Sequence, residues 1–158
     1  MIDSSGKWAI STLLIVLWSG LLCTGCGSSP KETMESLVQQ VRTGESDRIV
    51  VTEALIQDND LALLANLDGL VHVSIQECRV TDEGLRHLAG LGNLEHLHLR
   101  GARIGDRGIE HLLGLKKLRN LNLPQSQVTD AGMEQLTQLP ALELLRIGSP
   151  HLTNESLQ

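Results

Sequence analysis

The sequence contains no phenylalanine and no tyrosine, and both of its tryptophans, Trp8 and Trp18, lie before residue 20. The folded part of the chain must therefore be built around an aliphatic core. Stacking platforms for nucleic-acid bases and aromatic cages for cationic ligands both need such rings. These two kinds of binding site are excluded.

An excess of positive charge is also lacking. The chain has 13 lysines and arginines against 19 aspartates and glutamates, which gives a net charge of -6. A nucleic-acid-binding domain usually carries a basic patch and a net positive charge. Nucleic acid is therefore not an expected partner, and 158 residues leave room for one domain.

Motifs of catalysis and of cofactor binding are missing as well. The chain has no GxSxG, no P-loop, no HExxH and no glycine fingerprint between a predicted strand and helix. Its one CxxC spacing, Cys23 to Cys26, lies in the N-terminal segment. We therefore expect a protein that is not an enzyme and that uses no cofactor.

Residues 1–25 are typical of a targeting segment. Lys7 precedes the apolar run 8–22, which has the length of a signal-peptide core and is short for a membrane span of about 17 to 25 residues. The Thr-Gly pair before Cys26 resembles a bacterial lipobox. The resemblance implies that Cys26 carries lipid and that residues 26–29 tether the domain to a membrane, in the extracytoplasmic cell envelope. An ordinary secretion signal, an uncleaved anchor and a buried helix are the alternatives.

A helix is predicted at residues 30–44. Ser29 begins a capping-box sequence with Pro30 at the first helical position, aliphatic residues follow at helical spacing, and Gly44 ends the pattern. We expect this helix to cover the hydrophobic end of the array that follows, as terminal caps do in repeat proteins. A helix lying on the bilayer is the alternative, and the shortage of basic residues on its polar side disfavours it.

The stretch from Leu70 to Ala141 is one 24-residue pattern written three times. The copies follow LxxLxL, with Val73 and Ile75 in place of the last two leucines in the first copy, then a small residue and an aliphatic residue, then DxGΦxxLxxL, where Φ is aliphatic. Self-similarity at this period indicates a solenoid with one coil per copy. A weaker copy precedes the three and part of a fifth follows them. The repeat domain 46–158 is thus divided into 46–69, 70–93, 94–117, 118–141 and a partial copy, 142–158.

The ends of the three clear copies resemble leucine-rich repeats: VTDEGLRHLAGL, IGDRGIEHLLGL and VTDAGMEQLTQL. They are similar to the short bacterial type and to the cysteine-containing repeats of F-box proteins. The resemblance implies an α/β, right-handed solenoid with parallel strands on the concave face and short helices on the convex face. Together with the N-terminal segment, it implies a bacterial leucine-rich-repeat lipoprotein that binds a protein partner in the cell envelope.

Only the outward side chains of the strands remain free for binding. In each copy the LxL motif points its leucines inward and the residues between them outward. Residues 24 apart then lie side by side on neighbouring coils, and Arg48 joins this face at the first coil. The residues that we predict to contact the partner are His72, His96, His98, Arg100, Asn120, Asn122 and Arg146.

The three histidines of this face allow a second interpretation, a metal site. Neighbouring strands lie about 4.8 Å apart and residues i and i+2 about 7 Å apart, so the rings of His72, His96 and His98 can approach one another. No carboxylate or cysteine joins them in the pattern. We therefore predict a solvated polar face without metal, which attracts anions when the histidines are protonated below their usual pKa of about 6.5.

Two further columns of the repeat are assigned structural roles. Glycines are expected to allow tight packing between coils: Gly84, Gly108 and Gly132. Four polar residues stand just before the return segments: Asp82, Asp106, Asp130 and Asn154. We predict that each caps the helix that follows it, and that helices begin near Glu83, Arg107 and Ala131.

Cys78 is the one cysteine outside the N-terminal segment. If Cys23 is removed and Cys26 is acylated, no disulfide can form within the chain. Cys78 falls in the small-residue column with Ala102 and Ser126, which predicts a buried packing residue. A reactive thiol is the alternative.

The fifth copy has a strand but no room for its helix, which predicts an uncapped C-terminal end. A loop at Pro150 could cover this edge, another chain could pair with it, or the sequence could be truncated. Pairing would make the protein a self-assembling structural component of the envelope. This role and a metal-binding sensor are the alternatives to the binding module.

Overall fold

The computed structural model describes residues 30–153, which form a solenoid behind an N-terminal helix. The predicted targeting segment, the tether with Cys26 and the last residues of the fifth copy lie outside the described residues. The elements in chain order are α1 (Pro30–Arg42), β1 (Arg48–Val51), β2 (Ile56–Gln57), α2 (Asp58–Leu61), β3 (His72–Ile75), β4 (Cys78–Arg79), α3 (Asp82–Leu85), β5 (His96–Leu99), α4 (Asp106–Leu112), β6 (Asn120–Leu123), α5 (Asp130–Leu136) and β7 (Leu144–Ile147). Short 3-10 turns, Ala62–Leu64 and Arg86–Leu88, continue α2 and α3.

Five parallel strands form the main sheet, in the order β1-β3-β5-β6-β7. Neighbouring strands pair with a register of 24 residues, so that one column contains Arg48, His72, His96, Asn120 and Leu144. The repeat length therefore equals one turn of the solenoid. This register confirms the predicted α/β solenoid of parallel strands and short helices.

The core between the main sheet and the helices is aliphatic. The inward strand residues Leu97 and Leu121 are 1% and 0% exposed, and the leucines that close each copy are buried beside them. Their outward neighbours, such as His96 and Asn120, keep part of their surface in solvent. Alternate residues of a strand point to opposite faces, so the LxL motif by itself separates core from surface.

A second, shorter ladder runs beside the main sheet. β2 pairs with β4 in parallel, and a bridge joins Thr81 to Arg103. Backbone hydrogen bonds continue the ladder, since Arg103 N–H donates to Val80 O at 2.8 Å. This ladder was not predicted, because two-residue strands show no alternation that sequence reasoning could detect.

Helix α1 packs on the first coil. Met34, Val38 and Val41 are buried, with 0% to 5% of their surface exposed, and they join the same aliphatic core as β1. The helix ends in a Schellman motif: Gly44 has φ of +73°, and Glu45 N–H donates to Gln40 O at 2.9 Å. α1 therefore covers the apolar end of the first coil, which is the role of a terminal cap.

The column of aspartates joins each coil to the next. Asp106 Oδ1 accepts a hydrogen bond from Thr129 N–H at 2.8 Å, and Asp106 Oδ2 accepts one from the Thr129 hydroxyl at 2.7 Å. The equivalent bonds form in the pairs Asp58–Thr81 and Asp130–Thr153. These bonds hold successive coils at a fixed spacing.

The prediction that these aspartates cap their own helices was therefore wrong. Each aspartate is the first residue of its helix, so α3, α4 and α5 begin one residue earlier than expected, and the residue before it is the N-cap. In α5 the cap is Thr129, whose hydroxyl accepts from Ala131 N–H at 3.3 Å. From the first helical position, the carboxylate reaches the N-cap residue one coil further on. Asn154 lies outside the described residues.

The glycine column is required by these aspartates. A Cβ atom added to Gly108 would lie 2.5 Å from Asp82 Oδ1 and 2.6 Å from Ile104 Cγ2. A Cβ atom added to Gly84 or Gly132 would come equally close to the aspartate of the preceding coil. The predicted tight packing between coils is confirmed, and its cause is the carboxylate that occupies the space of a side chain.

Within residues 30–153 the last strand of the sheet is less covered than the others. β7 pairs only with β6 in this range, and its inward residues Leu145 and Ile147 are half-buried. The equivalent residues of β6, Leu121 and Leu123, are completely buried. In the same range, no helix has the length and apolar character needed to cross a membrane.

Candidate binding face

The outward side chains of the main sheet form one surface, which we call the strand face. It consists of the outward residues of the five strands and the residue that follows each strand: Arg48, Val50, Thr52, His72, Ser74, Gln76, His96, His98, Arg100, Asn120, Asn122, Pro124, Leu144, Arg146 and Gly148. None of these residues is acidic, although the chain has 19 aspartates and glutamates. The strand face is therefore basic in a protein that is acidic overall.

The structure places all seven predicted contact residues on the strand face. One column brings His72, His96 and Asn120 side by side, and the next contains His98, Asn122 and Arg146. The last member, Arg100, follows β5 directly and is exposed. The parallel ladder fixes the spacing of these side chains.

The histidine rings of the first column lie close together. The ring centroids of His72 and His96 are 5.3 Å apart, with the ring planes tilted by 40°. Burial lowers the pKa of His72 below its ordinary value of 6.5, and Coulombic interactions with His96 and Arg48 lower it further; Asp47 acts in the opposite direction. Since a lowered pKa disfavours the charged form, His72 is mainly neutral at pH 7.

The second column has a similar electrostatic environment. Burial lowers the pKa of His98, and Arg100 and Arg146 lower it further. An anion bound beside these groups would reverse the Coulombic part of the shift, because it would stabilise the protonated imidazole. Binding of an anionic group and protonation of His98 are therefore linked.

Asn122 provides an unused hydrogen-bond acceptor. Its Oδ1 atom is shielded from solvent and has no hydrogen-bond partner, and the residue lies between His98 and Arg146 in the ladder. A buried polar atom without a partner is unfavourable by about 1–3 kcal/mol. A ligand could donate a hydrogen bond to this oxygen only after the Asn122 side chain turns it toward the strand face.

The histidines of the strand face are not arranged as the ligands of a metal site. In the part of the chain that the structure describes, no group of three or more histidine, cysteine, aspartate or glutamate side chains could hold a metal ion. His72 and His96 lie beside one another, and no carboxylate is present on the face. The three-histidine metal site considered from the sequence has no support in this geometry.

Cys78 is a packing residue. Its side chain is 4% exposed, and its thiol donates a hydrogen bond to Arg100 O at 3.1 Å on the next coil. Burial raises the pKa of the Cys78 thiol to about 11, so the reactive thiolate is not formed at neutral pH. Ser126, in the same column, makes the equivalent contact with Gly148 O at 3.3 Å.

A cleft next to the strand face was missed by sequence reasoning. It has a volume of about 540 Å³ and is lined by residues that include Arg79, Arg100, Arg103, Gln76 and Glu77. We call it the arginine cleft. The 24-residue spacing of Arg79 and Arg103 is a sequence signal from which the cleft could have been predicted. These two arginines belong to the second ladder, however, and not to the columns of the strand face.

Comparison with known proteins supports the fold. Residues 93–113 match the family model described as "Leucine Rich repeat". The structure is similar to the crystal structure of an internalin (inlF) from Listeria monocytogenes, with a TM-score of 0.63 and 25% sequence identity. The similarity covers 76% of this chain and 34% of that chain, so this chain spans about a third of the internalin's length. The search of curated proteins gave no match.

Proposed function

We propose that this leucine-rich-repeat solenoid is a non-catalytic module that binds a protein partner through its strand face. The observation that carries the proposal is the composition of that face, which presents arginines, histidines and amides and no carboxylate in a chain with a net charge of -6. Solenoids of this kind offer extended concave surfaces for binding. The leucine-rich-repeat fold is a common protein-interaction module.

The rigidity of the strand face supports this function. Its side chains project from a continuous parallel ladder, and the aspartate bonds described above hold the coils in register. A surface that is ordered before binding loses less conformational entropy when the partner arrives. Recognition would then depend on the combined contacts of several columns, with Asn122 as one hydrogen-bonding centre.

The same proposal places the module at a membrane surface, attached by lipid at Cys26. The support is the lipobox-like sequence before that residue. Three residues separate Cys26 from Pro30, and each spans at most about 3.5 Å, so the solenoid would remain close to the bilayer. The partner would then be a protein of the bacterial cell envelope.

In-cell crosslinking tests the binding face. The tagged protein is compared with a variant that carries His98→Ala, Arg100→Ala and Asn122→Ala. The control variant carries His87→Ala, Arg107→Ala and Gln138→Ala, which lie on the helix side. We expect a specific envelope protein to be captured by the wild type and the control and lost in the strand-face variant. Capture of the same proteins by all three would contradict the proposed face.

A second candidate function is self-assembly through β7. The observation that favours it is the exposure of Leu144 at 58%, beside the half-buried Leu145 and Ile147. Within residues 30–153, β7 pairs only with β6, and an unpaired strand edge with apolar side chains is a template for pairing with another chain. Sedimentation at increasing concentration tests this candidate, because a mass that stays monomeric would eliminate it.

A further inference from the structure

The arginine cleft has an unusual arrangement of charge. Arg79 and Arg103 lie 24 residues apart, at equivalent positions of the repeat on neighbouring coils, and both line the cleft, which Arg100 enters from the strand face. The ion pairs found within residues 30–153 are Lys31–Glu35, Asp47–Arg48, Glu83–Arg86 and Arg119–Glu143. None of the three cleft arginines takes part in them.

Arg79 and Arg103 do not pair in the second ladder, where Arg79 faces Gln57 and Arg103 faces Thr81. They line the same cleft as Arg100, and positive charges that share a cleft repel one another and attract an anion. A guanidinium group is suited to this role, because it donates two parallel hydrogen bonds to a carboxylate or phosphate group. The cleft has the chemistry of an anion site.

Other groups of the cleft distinguish between anions. Glu77 lies in the lining and repels a doubly charged phosphate more strongly than a singly charged carboxylate. Gln125 Oε1 accepts a hydrogen bond from Gly101 N–H at 2.7 Å, which fixes the amide and leaves its NH2 group for another acceptor. Leu55, 36% exposed, offers an apolar wall for the methylene groups of an acidic side chain.

The cleft is continuous with the strand face. Gln76 and Arg100 belong to both surfaces, since each follows a strand of the main sheet and lines the cleft. A polypeptide that lies along the strand face would therefore bring its side chains to the mouth of the cleft. We propose that the arginine cleft is a carboxylate subsite, which holds an aspartate or glutamate side chain of the bound partner segment. This inference rests on the proposed function.

Fluorescence anisotropy with the full chain tests the subsite directly. The probe is a labelled peptide of six glutamates, and the uncharged control is a peptide of six glutamines. The test variant carries Arg79→Gln and Arg103→Gln, and the charge-matched control carries Arg42→Gln and Arg107→Gln, all at exposed positions. Thermal unfolding of each variant checks that the solenoid remains folded.

We expect the glutamate peptide to bind the wild type and the control variant, and to bind the cleft variant about tenfold more weakly or worse, since a hydrogen bond to a charged group contributes about 1.5–3 kcal/mol. Arg79→Lys with Arg103→Lys should restore only part of the affinity, because lysine lacks the planar fork. Equal losses in the cleft variant and the control would overturn the proposal, as they would show non-specific attraction.

Two competing anions complete the test. Inorganic phosphate that displaces the peptide at lower concentration than acetate would identify a phosphate site and overturn the carboxylate assignment. Binding to phosphatidylglycerol vesicles that requires Arg79 and Arg103, without binding of the peptide, would identify a lipid headgroup site instead. A crosslinking variant with His98→Ala and Asn122→Ala, which keeps Arg100, separates the two proposals. If the peptide fails to bind while this variant still loses the crosslinked protein, the carboxylate subsite fails alone and the proposed function stands.

Discussion

Asp82 accepts a single hydrogen bond from Gly105 on the next coil, from the backbone N–H at 2.7 Å. The equivalent pair Asp106–Thr129 has two bonds, because threonine adds a hydroxyl donor. Gly105 thus occupies a position at which the other partners of these aspartates, Thr81, Thr129 and Thr153, are threonines. The interface between the second and third coils is the one in which this contact is incomplete.

Removal of the carboxylates should reveal this difference. We expect Asp106→Ala to lower the free energy of unfolding by about 1–3 kcal/mol, because it leaves the Thr129 N–H and hydroxyl without their acceptors. Asp82→Ala should have a smaller effect, since one hydrogen bond is lost. Urea denaturation of both variants measures the difference. An equal loss would show that the threonine hydroxyl does not contribute.

Completion of the contact should stabilise the protein. Gly105→Thr supplies the missing hydroxyl and reduces the freedom of the unfolded chain, and we expect a gain of about 0.5–1.5 kcal/mol. A Cβ atom at this position would lie 3.4 Å from Asp82 Oδ2, which leaves room for a side chain. Gly105→Val has a similar shape without the hydroxyl and is the control. A valine variant as stable as the threonine variant would contradict the proposed hydrogen bond.

The glycine column should not tolerate a methyl group. Gly108→Ala improves helix propensity, but its Cβ would lie 2.5 Å from Asp82 Oδ1. We expect a loss of about 1–3 kcal/mol from overpacking and from displacement of the aspartate. Gly90→Ala, in a turn, is the control for the added methyl group, because nothing lies within 4 Å of its added Cβ. Thermal unfolding of the two variants decides the point; a stabilised Gly108→Ala protein would rule out the close contact.

Stability should depend on pH through the strand-face histidines. His72 and His98 have pKa values below the ordinary 6.5, so the unfolded chain binds protons before the folded protein does. The stability that these residues add in their neutral form is fully present above pH 6.5. The free energy of unfolding then decreases as the pH falls from 6.5 through the lowered pKa values of the folded protein. Urea denaturation between pH 8 and pH 5 should show this decline. His72→Gln with His98→Gln should make it shallower, and an unchanged slope would contradict the assignment.

Membrane attachment should depend on one thiol. If Cys26 carries lipid, the protein partitions into detergent, and Cys26→Ser abolishes this partitioning because no acyl chains can be added. Fractionation of cells that express each form measures the effect. Cys78→Ser is the control, since this buried cysteine lies in the solenoid. Continued attachment of Cys26→Ser would indicate an uncleaved membrane-spanning segment.

The period of the sequence determined most of the fold. A 24-residue repeat with LxL alternation fixes which residues are inward, as for Leu97 and Leu121, and which lie side by side on the strand face, as for His72 and His96. These relationships depend only on strand alternation and on the length of one coil. They could therefore be derived before any coordinates were known.

The tertiary structure decided which groups touch between coils. The partner of Asp106 is Thr129 and not a group of its own helix, and Arg79 shares a cleft with Arg100. Such contacts depend on the path of the chain between strand and helix, in segments too short to show a periodic pattern. Spacing specifies the neighbours along a column, whereas the direction of each side chain in these segments follows from how successive coils pack.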